Sequence, residues 1–137
     1  MTDFAVLYDQ TRAELESGDK FKKHGLHSQM KPVDQMSNDV PAVYLAHDKV
    51  IGKDTIYNDG GIQKEEHLVM FILVCDERDL TPCRRELARI YRGFLYKEEG
   101  TDNVFTSLQF KHGERANLHN GLVTWYEVYG NSIIGGC

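Results

Sequence analysis

The run EHLVMFILVC at residues 66–75 constrains the fold of this chain more than any other stretch. Read as a strand, it places Leu68, Met70, Ile72 and Val74 on one side and Val69, Phe71, Leu73 and Cys75 on the other, so both faces are apolar. Such a strand is stable only when it is covered on both sides, since apolar surface left in water forgoes roughly 25 cal/mol per Å². With 137 residues there is material for one hydrophobic core. The chain's own helices must therefore cover one face, and more of the chain or a partner must cover the other.

Composition narrows the classes. Hydrophobic residues at 41% and charged residues at 27% are ordinary for a soluble globular protein. Sixteen Lys and Arg against 21 Asp and Glu give a formal charge of -5, with no basic stripe, which argues against a protein that grips duplex DNA by its phosphates. The apolar run is about half the length of a spanning helix, and the opening MTDFAVLYDQ is acidic where a signal peptide is basic. No export signal or membrane anchor is expected. Cys75, Cys83 and Cys137 are too few and too unevenly spaced for a disulfide framework or a zinc site. The first two read as small hydrophobes, whereas Cys137 ends a Gly-Gly tail that is expected to be flexible from residue 130 to residue 137.

Taken in order, the chain opens with an amphipathic helix at residues 4–17, its stripe being Phe4, Leu7, Tyr8, Thr11 and Leu15, with Gly18 as the C-terminal cap. Periodicity then disappears over residues 19–39, a long lysine- and histidine-bearing connection. After Val40-Pro41 the stretch AVYLAH begins a strand, and residues 42–76 read as one long hairpin whose outer half, around Asn58-Asp59-Gly60-Gly61, projects beyond the core. Thr81 as N-cap and Pro82 as first residue open a second helix running to Leu95, with Cys83, Leu87, Ile90 and Phe94 on its apolar face and four arginines around the rest. Residues 104–110 alternate as a third strand, KHGERANLHNG reads as a polar loop, and residues 122–129 alternate as a fourth. The expectation is one α+β domain over residues 1–137: a mostly antiparallel four-stranded sheet, two helices packed on one face, and a long projecting hairpin.

Chemistry-bearing patterns are sparse. Six histidines fall in no HExxH or Cys/His-finger spacing, so no metal site is expected. Cys75 and Cys83 sit at apolar positions where a thiolate is disfavoured, and no GxSxG elbow or phosphate-binding glycine motif is present. Neither catalytic residues nor a cofactor is expected. The aromatic set Phe105, Phe110, Trp125, Tyr126 and Tyr129 is explained by cross-strand packing. It also supports an alternative, a small ligand-binding domain or enzyme using the aromatic strand end with His112 or His119. The least ordinary feature is surplus apolar strand surface joined to long loops, which favours assembly: a neighbouring copy covers what one small domain leaves open, and closing a ring removes exposed sheet edges.

In the order of its elements the chain resembles the tail terminator, or tail completion, proteins of long-tailed bacteriophages. The resemblance runs from the first helix through Lys31-Pro32, V-P-A-V-Y-L at residues 40–45, the arm to Gln63, H-L-V-M-F-I-L-V at residues 67–74 and the second helix to W-Y-E-V-Y at residues 125–129. It implies a non-enzymatic virion protein, made in the host cytoplasm, that closes into a homohexameric ring at the head-proximal end of the tail. Such a ring caps the tail-tube protein, stops tube growth and presents its other side to the neck or connector, with a sheath protein as a further neighbour in a contractile tail. DNA passes through the channel without specific binding, and no membrane is involved. By element, the resemblance assigns subunit or lumen contacts to Asp48, Lys49, Lys53, Asp54 and Tyr57 of the arm, and Met70, on the second face of the apolar strand, is expected under the adjacent subunit. It assigns axial partner contacts to Lys20, Lys22, Lys23 and Lys31 in the first loop and to Lys111, Glu114 and Arg115 in the last. Cys137 lies outside the family pattern and offers an intersubunit disulfide in oxidising surroundings. A ring with unlike axial surfaces suits a terminator, because a single self-propagating surface would continue the tube. The negative net charge would keep DNA from adhering to the lumen if the lumen shares that sign.

Overall fold

The computed structural model describes residues 4–18, 20–53, 64–94, 104–105 and 107–134. Helix α1 spans Phe4–Ser17, strand β1 Lys23–Leu26, β2 Ala42–Lys53, β3 Lys64–Asp76, helix α2 Leu80–Tyr91, β4 Val104–Phe105, β5 Gln109–His119 and β6 Leu122–Ile134. Short 3-10 turns cover His27–Gln29, Val33–Gln35 and Glu77–Asp79. The strands form one sheet in the order β1-β2-β3-β6-β4, with β5 also pairing with β6. Both β4 and β5 line the same edge of β6, at Ile133 and Ile134 and at residues 122–130 respectively, so six strands occupy five positions. The class is α+β as expected, but the sheet is larger than four strands and β1 joins it parallel to β2.

Strand β3 lies at the centre, antiparallel to β2 from Ala42↔Val74 to Lys53↔Lys64 and to β6 from Asp76↔Leu122 to Glu65↔Ile133. As far as Glu65 the hairpin is therefore flanked by β6; the projecting part expected around Asn58-Asp59-Gly60-Gly61 lies outside the described residues. On the helix side, Val69, Phe71, Leu73 and Cys75 pack against Leu7 and Leu15 of α1 and Cys83, Leu87 and Tyr91 of α2. The Phe71 ring lies 4.3 Å from that of Tyr91 and meets Tyr129 edge-on at 5.4 Å. Burying a side chain of that size stabilises by roughly 1.5–3 kcal/mol. Cys75 and Cys83 are both buried and free, and the hydrogen bond from one thiol to the other, with burial, pushes the Cys75 thiol up.

The helices meet the sheet as their stripes require. Thr11, a polar residue in the buried stripe of α1, bonds the Leu7 carbonyl at 2.9 Å and the Tyr91 hydroxyl at 2.9 Å, tying α1 to α2. Gly18 donates to the Glu14 carbonyl at 3.0 Å, closing α1 where the sequence places its cap. Helix α2 begins at Leu80, ahead of the expected Thr81 cap, because Glu77–Asp79 has already started the turn. It stops at Tyr91 and not at Leu95: Gly93, at φ +79, takes the left-handed conformation that ends a helix, and its N–H turns away to the Leu108 carbonyl at 2.7 Å.

Two stretches expected as loops are ordered. Within residues 19–39, Lys23–Leu26 forms β1, too short and too close to the edge to show an apolar period. The turns that follow fold over the second sheet face, where Met36 is fully buried beside Ala42, Tyr44, Ile72 and Val74, and Met30 and Val33 are half-buried. The chain thus supplies part of the second cover itself. The polar stretch from Lys111 is strand β5, joined to β6 through Asn120 at φ 50 and Gly121 at φ 81, the pair of positive φ angles that a two-residue hairpin demands. Of the tail expected to be flexible, residues 130–134 belong to β6, and residues 135–137 lie outside the described residues.

Candidate functional site

The two sheet faces differ in how well they are sealed. On the second face, beside the 3-10 turns, lies an open hollow of about 350 Å³. Ile72, Thr124 and Tyr126 line it from the sheet, His27, Met30 and Val33 from the turns, and Ala116 and Asn117 from β5. Met70, Leu122 and Ala46 continue this half-buried apolar surface. Sequence alternation places Ile72 and Tyr126 on this face because Leu68 to Val74 and Leu122 to Val128 share its parity across the β3–β6 register. The same hairpin carries Leu118, which at 51% exposure is the one exposed large hydrophobic among the described residues.

On the helix face the opposite holds. Glu127, only 2% exposed, is held by an arginine and two aromatic side chains. Its Oε2 accepts from Arg84 Nε at 2.7 Å and from Trp125 Nε1 at 2.9 Å, and its Oε1 accepts from the Tyr129 hydroxyl at 3.3 Å. The Arg84 guanidinium lies 4.9 Å over the Trp125 ring, and Arg92 lies 5.7 Å over Phe110. Burial, with the Glu127 charge nearby, pushes the Tyr129 phenol up to about 12, so it stays a neutral donor. With both oxygens engaged and the side chain almost fully buried, this carboxylate fastens α2 to the β5–β6 hairpin. Neither Glu127 nor Arg84 stands out in the sequence as a site; the legible signal is a lone acid in the same alternating column as Trp125 and Tyr129, facing an arginine-rich helix.

The residues singled out from the sequence are distributed, not gathered. Asp48 lies in a bulge between His47 and Lys49, and both Asp48 and Lys49 are exposed. Lys53 ends β2 opposite Lys64, and Asp54, Tyr57 and Cys137 lie outside the described residues. Met70 is half-buried on the second face. Lys20 borders a separate hollow of about 280 Å³ with Pro82, Arg85, Glu86 and Arg89, in which Arg89 is bound by Glu86 and Glu14. Lys22 and Lys23 are exposed beside or within β1, and Lys31 pairs with Asp39 at 3.4 Å. Lys111, Glu114 and Arg115 all fall on β5, at the opposite edge of the sheet from β1. Lys111 reaches Glu66 at 3.3 Å, and Arg115 holds Glu77 at 2.7 Å. The Lys111 stem crosses Gly130, where a Cβ would lie 3.0 Å from Lys111 Cε and 2.7 Å from Leu68 Cδ2, so a side chain added there would have to displace both.

An enzyme-like constellation is not assembled from these parts. His112 and His119 pair with Val128 and Leu122 near the two ends of β5, roughly 23 Å apart along an extended strand. The sheet separates Tyr126, on the hollow side, from Trp125, Tyr129 and Phe110 under α2. His24 is tied to the Tyr8 hydroxyl at 2.7 Å, and burial lowers its pKa. No group of three or more metal-ligating side chains occurs among the described residues, and no helix among them is long and apolar enough to cross a membrane.

No family model matches the chain, and no curated protein matches it. Its fold does recur in solved structures. A chain from the virion of a native gene transfer agent particle superposes with a TM-score of 0.60 at 13% identity, over 96% of this chain and 93% of that one. A second solved structure matches with a TM-score of 0.59 at 14% identity, over 96% and 92% of the two chains.

Proposed function

We propose that this chain is a structural protein of a phage-like virion that closes into a ring at the head-proximal end of a tail, ends growth of the tail tube and joins it to the neck. The observation that supports this most is the fold held in common, over nearly the full length of both chains, with a subunit of a gene transfer agent virion. The tail-terminator pattern read along the sequence agrees with it independently. A sheet with one face sealed by helices and the other only half covered is the physical counterpart, since apolar surface left open on a small protein marks an interaction site.

In this reading the β2–β3 arm, with Asp48, Lys49, Lys53, Asp54 and Tyr57, faces neighbouring subunits or the channel, and Met70 lies under a subunit contact. Lys20, Lys22, Lys23 and Lys31, near the β1 edge, and Lys111, Glu114 and Arg115, on β5, meet the tube and the neck. Hydrodynamic mass tests the assignment. The purified protein, alone or on added tail tubes, is expected near six times 15.7 kDa. A strict monomer that binds neither tubes nor connector protein refutes it.

A further inference from the structure

We propose that neighbouring copies lock head to tail, with Leu118 of one copy seated in the second-face hollow of the next. The inference rests on the ring reading above and gives that ring its lateral contact. Leu118 pairs with Val123 of β6, and Val123 pairs with Cys75 of β3, so this column belongs to the helix side of the sheet. The hollow, floored by Ile72 and Tyr126, opens on the other side. Projecting side chain and receptor are therefore carried by one hairpin but face opposite ways. A two-fold contact needs the same patch on both partners, so these two elements meet only heterologously, and repetition of a heterologous contact generates a ring or a filament.

Size and charge agree with a second copy as the occupant. A hollow of about 350 Å³, with Met30, Val33, Ile72 and Tyr126 as its apolar wall and His27, Asn117 and Thr124 beside them, has room for a branched aliphatic side chain. Around it, exposed Asp34 follows Val33 and exposed Glu114 pairs with Tyr126, and neither makes an ion pair with any described residue. Beside Leu118, on the same face, Arg115 pairs with Glu77 while remaining partly open to solvent. Carboxylates at the receptor and a guanidinium at the projection give the contact its polarity, which takes Glu114 and Arg115 from the axial role given above to the lateral contact.

Directional crosslinking tests this. In a Cys137→Ser background, which leaves buried Cys75 and Cys83 as the native thiols, Leu118→Cys and Ala116→Cys are treated with a short bismaleimide. The double variant is expected to give a ladder that stops at the subunit number of the ring. The two single variants, mixed, are expected to stop at dimers, and each alone to stay monomeric on a denaturing gel. Leu118→Asp is expected to lose the ring mass while keeping the wild-type circular dichroism. Dimers from Leu118→Cys alone, or an unchanged ring mass for Leu118→Asp, overturn this contact and leave the ring standing. A wild-type protein that stays monomeric even on tubes overturns the ring and this contact together.

Discussion

Replacing Arg84 by methionine tests whether the Glu127 cluster holds the hairpin to α2. Methionine keeps the aliphatic stem and its packing but removes the guanidinium that donates to Glu127 at 2.7 Å and covers the Trp125 ring at 4.9 Å. Removing one partner of a buried ion pair costs about 3–5 kcal/mol, because a charge is left without compensation. Glu127 meets that condition at 2% exposure, but the Arg84 side chain is 39% exposed, so water screens the pair and the lower end applies. Loss of the cation–π contact adds roughly 0.5–1 kcal/mol. The remaining bonds from Trp125 and Tyr129 still hold the carboxylate, which brings the expected loss to about 3 kcal/mol. Glu127→Gln keeps an acceptor for the indole and is expected to cost roughly 1–2 kcal/mol. The double variant is expected to fall short of the sum by roughly 1–2 kcal/mol, since the second change removes a group already orphaned by the first. Urea unfolding at one protein concentration reads this. With an m-value of about 2 kcal/mol per molar, Arg84→Met lowers the midpoint by about 1.5 M. A loss below about 1 kcal/mol, or strict additivity, would refute the staple.

Three further outcomes are expected. Phe71→Asp places a charge in the sealed face and unfolds the protein, whereas Met70→Asp on the half-open face costs about 1–3 kcal/mol, keeps the far-ultraviolet spectrum and, on the proposed assembly, loses the ring mass on sizing with light scattering. Gly130→Val forces a Cβ to within 2.7 Å of Leu68 and 3.0 Å of the Lys111 stem, and thermal unfolding is expected to show a loss of about 1–3 kcal/mol; an unchanged midpoint would show that the crossing yields freely. His24 titrates below its ordinary 6.5 because it is partly buried, with Glu16 opposing that shift and Arg12 adding to it. The unfolded chain therefore takes up the proton first, so this contribution is complete above pH 6.5 and is lost as pH falls through the lowered folded value. His24→Asn is expected to flatten the wild-type decline in stability between pH 7 and pH 5, and an identical decline in both proteins would refute it.

Where apolar period and caps coincide, the fold is legible in the sequence. The stripe Leu7, Tyr8, Thr11, Leu15 with Gly18 gave the bounds of α1, and the two-sided run at Leu68 to Cys75 gave a central strand, because burial imposes a period that sequence displays. Strand β5 was hidden for the complementary reason. Its side chains from Glu114 to His119 are exposed on both faces, so nothing selects an alternation, and only Asn120-Gly121 announces the hairpin. The candidate site inherits that blindness. Leu118 and Ala116 sit in the stretch that reads as a loop, and the hollow forms from turns that fold back from residues 27–35, a tertiary event no local pattern records. The lysines near β1 and the charged residues of β5, assigned one axial role from the sequence, prove to lie at opposite sheet edges because the chain order of strands is not their spatial order.

Ring closure makes a mechanical demand that connects the two faces. A heterologous contact closes only when the rotation between copies has no accompanying rise; any rise turns the ring into a filament. In the proposed ring the angle between the Leu118 projection and the hollow therefore has to be fixed, and both depend on the β5–β6 hairpin. Cross-strand pairing alone holds such a ribbon loosely, since edge hairpins twist readily. Here the hairpin is fixed from above by Glu127, Arg84 and Trp125, and on the far side by the Lys111 stem lying across Gly130 to Glu66. The sealed face would then set the geometry of the open one. On this argument Arg84→Met, under conditions where it is still fully folded, broadens the distribution of assembly masses in native mass spectrometry beyond a single ring size. A single unaltered ring mass in the folded variant would separate the staple from closure and leave it a matter of stability alone.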